Sequence, residues 1–326
     1  MNPILQFGIQ LIQIFQQMSP ALDGLMKAVS FMGTIQFYLV LIPFIYWVVD
    51  VQLGFRVLLV LISTDFLASA FKLLLHQPRP YWVGDVKQLS TEPSYGIPSS
   101  HASDTLGVWG YLAYRLKKNW FWVVSILLIL LIAFSRMYLG GHFPTDVLAG
   151  WLIGLVVTII FARCEAPVLR WLRTLSATGQ ILVGFGVSII MLLIGQLVIM
   201  LIAASPDPAA WTLFAVGARS ISGNFTLGGA LFGAVAGFVL MQRKARFQVS
   251  GAWVQRALRY LVGIAGMLIF YLALDALFAL IAKDETIASY LLRYIRYATV
   301  AFWVTFGAPW TFLKVKLARP AQDKMP

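Results

Sequence analysis

Hydrophobic residues fall in blocks along this chain, and short polar segments punctuate them. Apolar runs of about twenty residues, enough to cross a bilayer as helix, recur near 32–50, 54–75, 100–117, 120–138, 143–163, 180–204, 224–241, 257–282 and 289–313. The pattern predicts about nine membrane spans and an all-α, polytopic helical bundle. Residues 2–18 differ. Gln6, Gln10, Gln13 and Gln17 form a polar stripe at helical spacing on an otherwise apolar segment, which predicts an interfacial helix lying on the outer face. The alternative is a short first span whose glutamines face other helices. No internal repeat or low-complexity linker interrupts the series.

Composition agrees with a membrane. Of 326 residues, 60% are hydrophobic and 12% charged, whereas a soluble domain has roughly half apolar and a quarter charged. Residues 1–18 lack a basic start and a small-residue cleavage site, so no cleavable signal peptide is expected. The single cysteine, Cys164, excludes an internal disulfide. The net charge of +12 changes meaning once it is distributed over the spans. One side collects Arg56, Arg115, Lys117, Lys118, Arg163, Arg170, Arg173, Arg243, Lys244, Arg246, Arg256, Arg259, Lys314, Lys316, Arg319 and Lys324, the majority of the 25 Lys and Arg. Basic residues accumulate on the cytoplasmic side, so the excess reads as topology, with a cytoplasmic C-terminus, and not as a nucleic-acid surface.

Three polar segments emerge on the opposite, outer face. The first is "FKLLLHQPRPYW" (71–82), the second "YGIPSSHASDT" (95–105) and the third "SRMYLGGHFPTD" (135–146). Pro98 with Ser99–Ser100, and Pro144, mark helix starts. Lys72, Arg79, His101, Arg136, His142 and Asp146 can therefore converge beside two helix N-termini, whose unpaired N–H groups and partial positive charge favour anions. Three cations added to these ends predict a site for a dianion, most plausibly phosphate. Asp146 follows His142 by four residues, one helical turn. A carboxylate there fixes one imidazole nitrogen and leaves the other free to attack, while His101 is placed to protonate a departing oxygen.

The order Lys-x6-Arg-Pro (72–80), Pro-Ser-x-His (98–101), Ser-Arg-x5-His-x3-Asp (135–146) resembles the type 2 phosphatidic acid phosphatases, also called lipid phosphate phosphatases (the PAP2 superfamily). These share their site with glucose-6-phosphatase and the vanadium haloperoxidases. The resemblance covers roughly residues 55–162. It implies His142 as nucleophile, Asp146 as its partner and His101 as general acid. Lys72, Arg79 and Arg136 would form the phosphate clamp, with Ser99 and Ser100 assisting, and no metal or other cofactor would take part. It further implies a six-helix catalytic core within residues 1–176, followed by an accessory bundle of about four spans in 177–326, as in the larger glucose-6-phosphatase and sphingosine-1-phosphate phosphatase branches. One position departs: most of the family has glycine where this chain has Ser100, and a serine there is closer to the sphingosine-1-phosphate phosphatase branch.

The expectation is an integral membrane phosphatase acting on a phosphorylated amphiphile among membrane lipids, at the periplasmic, extracellular or lumenal face. Homo-oligomerisation is compatible with it. The alternatives are a phosphotransferase with the same site, or a transporter or flippase that binds phosphate without hydrolysis. His76 reads as a polar residue at a helix end and Glu92 as an exposed loop residue. Asp65 is placed to support Lys72 or to bond within the bundle, and Asp104 to orient His101 or favour its helix start. Arg219 reads as a plain loop arginine or an extension of the pocket. Asp275 is expected to pair with Arg296 or Arg293 in the accessory half.

Overall fold

The computed structural model describes residues 3–321, and Lys324 of the charge pattern lies outside them. Thirteen α-helices and two π-helical turns occur among the described residues. They are α1 (Pro3–Gln16), α2 (Asp23–Phe31), α3 (Ile35–Phe44), α4 (Val51–Leu75), α5 (Pro80–Val83), α6 (Ser100–Leu116), α7 (Asn119–Tyr138), α8 (Pro144–Arg173), α9 (Ala177–Ile202), α10 (Ser222–Lys244), α11 (Trp253–Ala279), α12 (Ile287–Phe302) and α13 (Ala308–Lys314). The π turns are Ile45–Val49 and Trp303–Gly307.

Among the described residues, six helices are long and apolar enough to cross a membrane, or up to seven if the bent pair Asp23–Phe31 and Ile35–Val49 is one span. The sequence pattern predicts about nine. The difference lies in three segments, two of which fold as shorter helices. Within residues 32–50 the helix begins only at Ile35 and ends with the π turn at Val49. Residues 100–117 give only the 17 residues of α6, closed by Lys117 in the left-handed region at φ 53°. Residues 289–313 stay helical through the second π turn, and Arg293 and Arg296 make this stretch more polar than the other spans. Many apolar side chains on α7, α8, α9 and α11 face outward, among them Leu127, Leu152, Leu193 and Ile269. In water such a surface would be a liability; against lipid it is a solvated one.

The chain divides into two compact units built from separated segments. The first comprises Met1–Tyr38, Ser63–Glu165 and Ile194–Ile221, the second Leu39–Ile62, Ala166–Leu193 and Ser222–Pro326. In the first unit α6 and α8 approach closely through Gly150 and Gly154. A Cβ at these positions would lie 2.4 Å from the carbonyl of Ser99 and 2.6 Å from that of Ser103. Small residues four apart let helix backbones meet, and here they set the first turn of α6 against α8. The N-terminal helix α1 keeps Gln6, Gln10 and Gln13 exposed, and Gln17 is exposed in the turn that follows it. Its buried Ile9 and Ile12 pack on Phe143, and Gln16 donates to the carbonyls of Lys87 and Tyr138. It thereby braces the turn that follows α7.

The second unit is a conventional apolar core with polar stitches. Gly229 and Gly233 of α10 meet the main chain of α12 at Tyr294 and Ala298. In the first π turn, Tyr46 and Trp47 donate to the carbonyls of Thr305 and Val304 in the second, both at 2.9 Å. A π turn leaves main-chain groups out of the regular ladder, and these side chains satisfy them. Arg296 pairs with Asp275, as expected from their depth in the sequence, and stacks over Tyr271 and Tyr297.

Candidate active site

The three polar segments meet in the first unit around a cavity of about 520 Å³, whose lining includes Lys72, Arg79, Ser100, His101, Arg136 and His142. Each comes from a different local device. Lys72 lies in the last turn of α4. Beyond it His76 adopts φ 35°, Gln77 follows, and Arg79 precedes the short helix that Pro80 opens. His76 points its Nδ1 at the carbonyl of Leu74, 3.1 Å away, so it serves the helix end. His101 sits in the first turn of α6, Arg136 in the last turns of α7, and His142 in the turn before Pro144. In that turn Gly140 takes φ +73°, a conformation that favours glycine.

His142 and Asp146 are both buried, with Nδ1 of the imidazole 3.3 Å from Oδ2 of the carboxylate. The same Oδ2 accepts the main-chain N–H of Phe143 at 2.9 Å. On the other side of the ring, Nη1 of Arg79 approaches Nε2 at 3.2 Å. A guanidinium can only donate, so Nε2 must be the unprotonated nitrogen and Nδ1–H the one turned to Asp146. Burial and the nearby Arg79 and Lys72 hold the His142 imidazole well below its ordinary 6.5. The neutral ring thus presents a bare nitrogen to the cationic side of the cavity.

The cations are held by main-chain oxygens. Lys72 Nζ donates to the carbonyls of Tyr95 (3.1 Å) and Gly96 (3.3 Å). Arg79 donates to the carbonyls of Ser94 (2.6 Å), Tyr95 (3.0 Å) and Gly141 (2.8 Å). Arg136 donates to the Ser30 hydroxyl at 2.8 Å and forms an ion pair with Glu92. The main-chain N–H of Ser99 donates to the carbonyl of Asp146 at 2.9 Å, tying the start of α6 to that of α8. Among the buried polar atoms of the described residues that have no hydrogen-bond partner, four lie at or beside this cavity: Nε2 of His101, Oγ of Ser90, Oγ of Ser99 and Nε of Arg136. Buried polar groups are nearly always paired, so these orphans mark where a polar ligand would be received.

Lys72, Arg79, Ser100, His101, Arg136 and His142 line the cavity, while Ser99 and Asp146 lie buried behind it. Three readings change. Glu92, expected to be an exposed loop acid, is mostly buried and also lines the cavity. Its own desolvation would raise its carboxyl, but Arg136 and Arg79 hold it down at about 2. Asp104 accepts the hydroxyl of Thr64 at 2.7 Å, which serves the helix pair, although it and Asp65 also border the cavity. Arg219, read as a loop arginine or a pocket extension, forks onto Asp207 through Nε (3.1 Å) and Nη2 (3.2 Å). Residue type alone could have flagged Glu92, an acid lying between two basic motifs in a chain with 13 acids. The carbonyls of Tyr95 and Gly141 leave no such trace, since every residue has one.

Two family models match the chain in separate regions. The PAP2 superfamily matches residues 53–170, and the PAP2 superfamily phosphatase transmembrane extension matches 225–320. Together these cover more than half of the 326 residues. The chain is 30% identical to lipid phosphate phosphatase delta of Arabidopsis thaliana, over 46% of this chain and 40% of that protein. It is 31% identical to glucose-6-phosphatase catalytic subunit 1 of Bos taurus, over 51% and 55% respectively. The chain thus spans about half the length of these relatives. Among solved structures, the transmembrane PAP2-type phosphatidylglycerolphosphate phosphatase of Bacillus subtilis aligns with a TM-score of 0.45 at 24% identity, covering 51% of this chain and 88% of that one. With both matched regions in sequence order and the three polar segments inside the first, the chain belongs to the PAP2 superfamily.

Proposed function

We propose that this chain is a metal-independent membrane phosphatase that removes phosphate from an amphiphilic phosphate monoester or diphosphate through a phosphohistidine intermediate. The single observation that carries the reading is the two-sided environment of His142. Asp146 faces one ring nitrogen, and a guanidinium faces the other, which lies toward the cavity. In the reaction, Lys72, Arg79 and Arg136 take the non-bridging phosphate oxygens, with Ser99 and Ser100 at the start of α6 assisting. Nε2 of His142 attacks phosphorus, and the bond to the leaving oxygen breaks as His101 supplies its proton. Asp146 stabilises the positive charge that develops on the ring. His101 then takes a proton from water, whose oxygen attacks phosphorus, releasing inorganic phosphate and restoring the neutral imidazole. Fixed cations around the transferring group provide most of the stabilisation in such reactions.

The catalytic core of this reading lies within residues 1–176 and the accessory bundle within 177–326. The site opens on the non-cytoplasmic side, with the C-terminus cytoplasmic, on the strength of the basic-residue distribution. Cysteine substitutions at Gln88 and Lys316, probed with a membrane-impermeant reagent on intact cells or sealed vesicles, should label only at Gln88. The chemical step is tested by a panel of lipid phosphates and diphosphates in detergent, read as phosphate released. Wild type should turn over at least one, His142→Ala none above about one part in 10³. His101→Ala should accumulate acid-labile phosphoprotein. Undiminished turnover by His142→Ala would remove the nucleophile assignment.

A further inference from the structure

We infer that Asp207, held by Arg219, acts through Tyr95 as the positioning element for the cations Lys72 and Arg79. The inference rests on the reading of the cavity as a phosphate site. Tyr95 is completely buried and works at both ends. Its hydroxyl donates to the two carboxylate oxygens of Asp207 at 2.9 and 2.8 Å. Its main-chain carbonyl accepts from Lys72 Nζ at 3.1 Å and from Arg79 Nη2 at 3.0 Å. Fixing the hydroxyl and the ring fixes where that carbonyl points, and the two cations are aimed by it.

The anchor is built from a distant part of the chain. Asp207 and Arg219 flank the segment between α9 and α10. Besides its fork onto Asp207, Arg219 donates to the carbonyl of Ile202 at the end of α9, 3.0 Å away. Trp82, Ala215 and Ala218 enclose the Tyr95 ring, with Trp211 packed alongside. Burial, together with the Asp207 carboxylate, pushes the Tyr95 hydroxyl up to about 12, so it stays a donor across the working pH range. Arg219 and Tyr95 outweigh the desolvation of Asp207 and keep its carboxyl below the usual range. The turn from Ser94 to Gly96 that receives both cations has one further main-chain tie in this region, from Gly96 N–H to the Gln77 carbonyl at 2.9 Å. Without Asp207 the tyrosine hydroxyl would lose the acceptor for its proton, and the carbonyl would lose its fixed direction.

The test uses the full chain in detergent with Tyr95→Phe, Asp207→Asn and Arg219→Gln. Three quantities are read: the dissociation constant for inorganic phosphate by calorimetric titration, KM and kcat with a lipid phosphate, and Tm. Tyr95→Phe and Asp207→Asn should weaken phosphate binding and raise KM in parallel by about fivefold to tenfold, the scale of one well-placed hydrogen bond. Their kcat should change by less than about twofold. Tyr95→Phe should add less than its full effect in a chain already carrying Arg79→Lys, because part of its action runs through that arginine and the rest through Lys72. Phosphate affinity and KM at the wild-type level in both Tyr95→Phe and Asp207→Asn would overturn the inference, as would a fall in Tm and active fraction with the two constants unmoved. Should Asp207→Asn not fold, Tyr95→Phe, which deletes one oxygen, decides alone. A wild type that binds phosphate but releases none from any substrate would sink the phosphatase reading, and the binding arm would still judge this one.

Discussion

Two buried arginines, one in each compact unit, look alike until their surroundings are compared. Arg79 in the first unit and Arg259 in the second are both essentially inaccessible. Arg259 donates to the carbonyls of Trp47 (2.9 Å), Val249 (3.0 Å), Ser250 (3.3 Å) and Leu317 (3.2 Å). It joins three distant stretches of chain and serves as a cross-link. Arg79 also donates to carbonyls, but one of its nitrogens reaches the imidazole of His142 beside a polar cavity. A guanidinium's five donors can hold a fold together or be held by the fold for use on a ligand. Burial and carbonyl partners do not separate these roles. An adjoining polar cavity does, and only Arg79 lines one.

The largest expected effects would break this comparison outright. Arg79→Ala should lower kcat/KM by about 10²–10³-fold, the scale for losing one preorganised charge at a transition state, while the protein remains folded. Arg259→Ala should do the reverse, costing about 3–5 kcal/mol of stability by stranding buried carbonyls and leaving kcat/KM of the folded fraction unchanged. Denaturation monitored alongside phosphate release distinguishes the two; similar profiles for both variants would show that the arginines are not functionally distinct.

A smaller effect sharpens the account of the cavity itself. Glu92 titrates at about 2 in the fold against an ordinary 4.5. A carboxyl depressed by folding contributes stability that is complete above its unfolded value and is lost as the pH falls through the folded one. Wild type should therefore lose this contribution between about pH 4.5 and about pH 2, and Glu92→Gln should lack that part of the acid transition. Because the carboxylate also competes for Arg136, Glu92→Gln should bind inorganic phosphate about threefold to tenfold more tightly at neutral pH. Unchanged affinity would mean that Glu92 yields its place to the ligand at no cost.

The smallest expected effect on activity lies in the second unit. Asp275 pairs with Arg296, yet 59% of its side chain is exposed. A polar contact between helices of a membrane bundle is worth about 0.6–2 kcal/mol, so an Asp275→Asn/Arg296→Gln double-mutant cycle should show coupling of that order in stability. Phosphate release should not respond. A coupling in kcat would bring the accessory bundle into the chemistry and erase the contrast between the units.

The amino-acid order by itself determined the helical membrane architecture, because blocks of apolar residues leave a chain few other ways to satisfy its main-chain polar groups in lipid. It also pointed to the side chains that gather at the cavity, since Lys72–Arg79, Ser99–His101 and Arg136–Asp146 carry side-chain chemistry in three polar segments on one face. Tertiary structure alone decided where the helical ladder widens into π turns, at Ile45–Val49 and Trp303–Gly307. It alone revealed that Glu92 is drawn onto Arg136 and that Asp207 grips a tyrosine 112 residues away. The physical reason is common to both: the aim of a cation is set by main-chain carbonyls and by distant partners. A carbonyl is the same in every residue, so no letter of the sequence announces which one a lysine or arginine will meet.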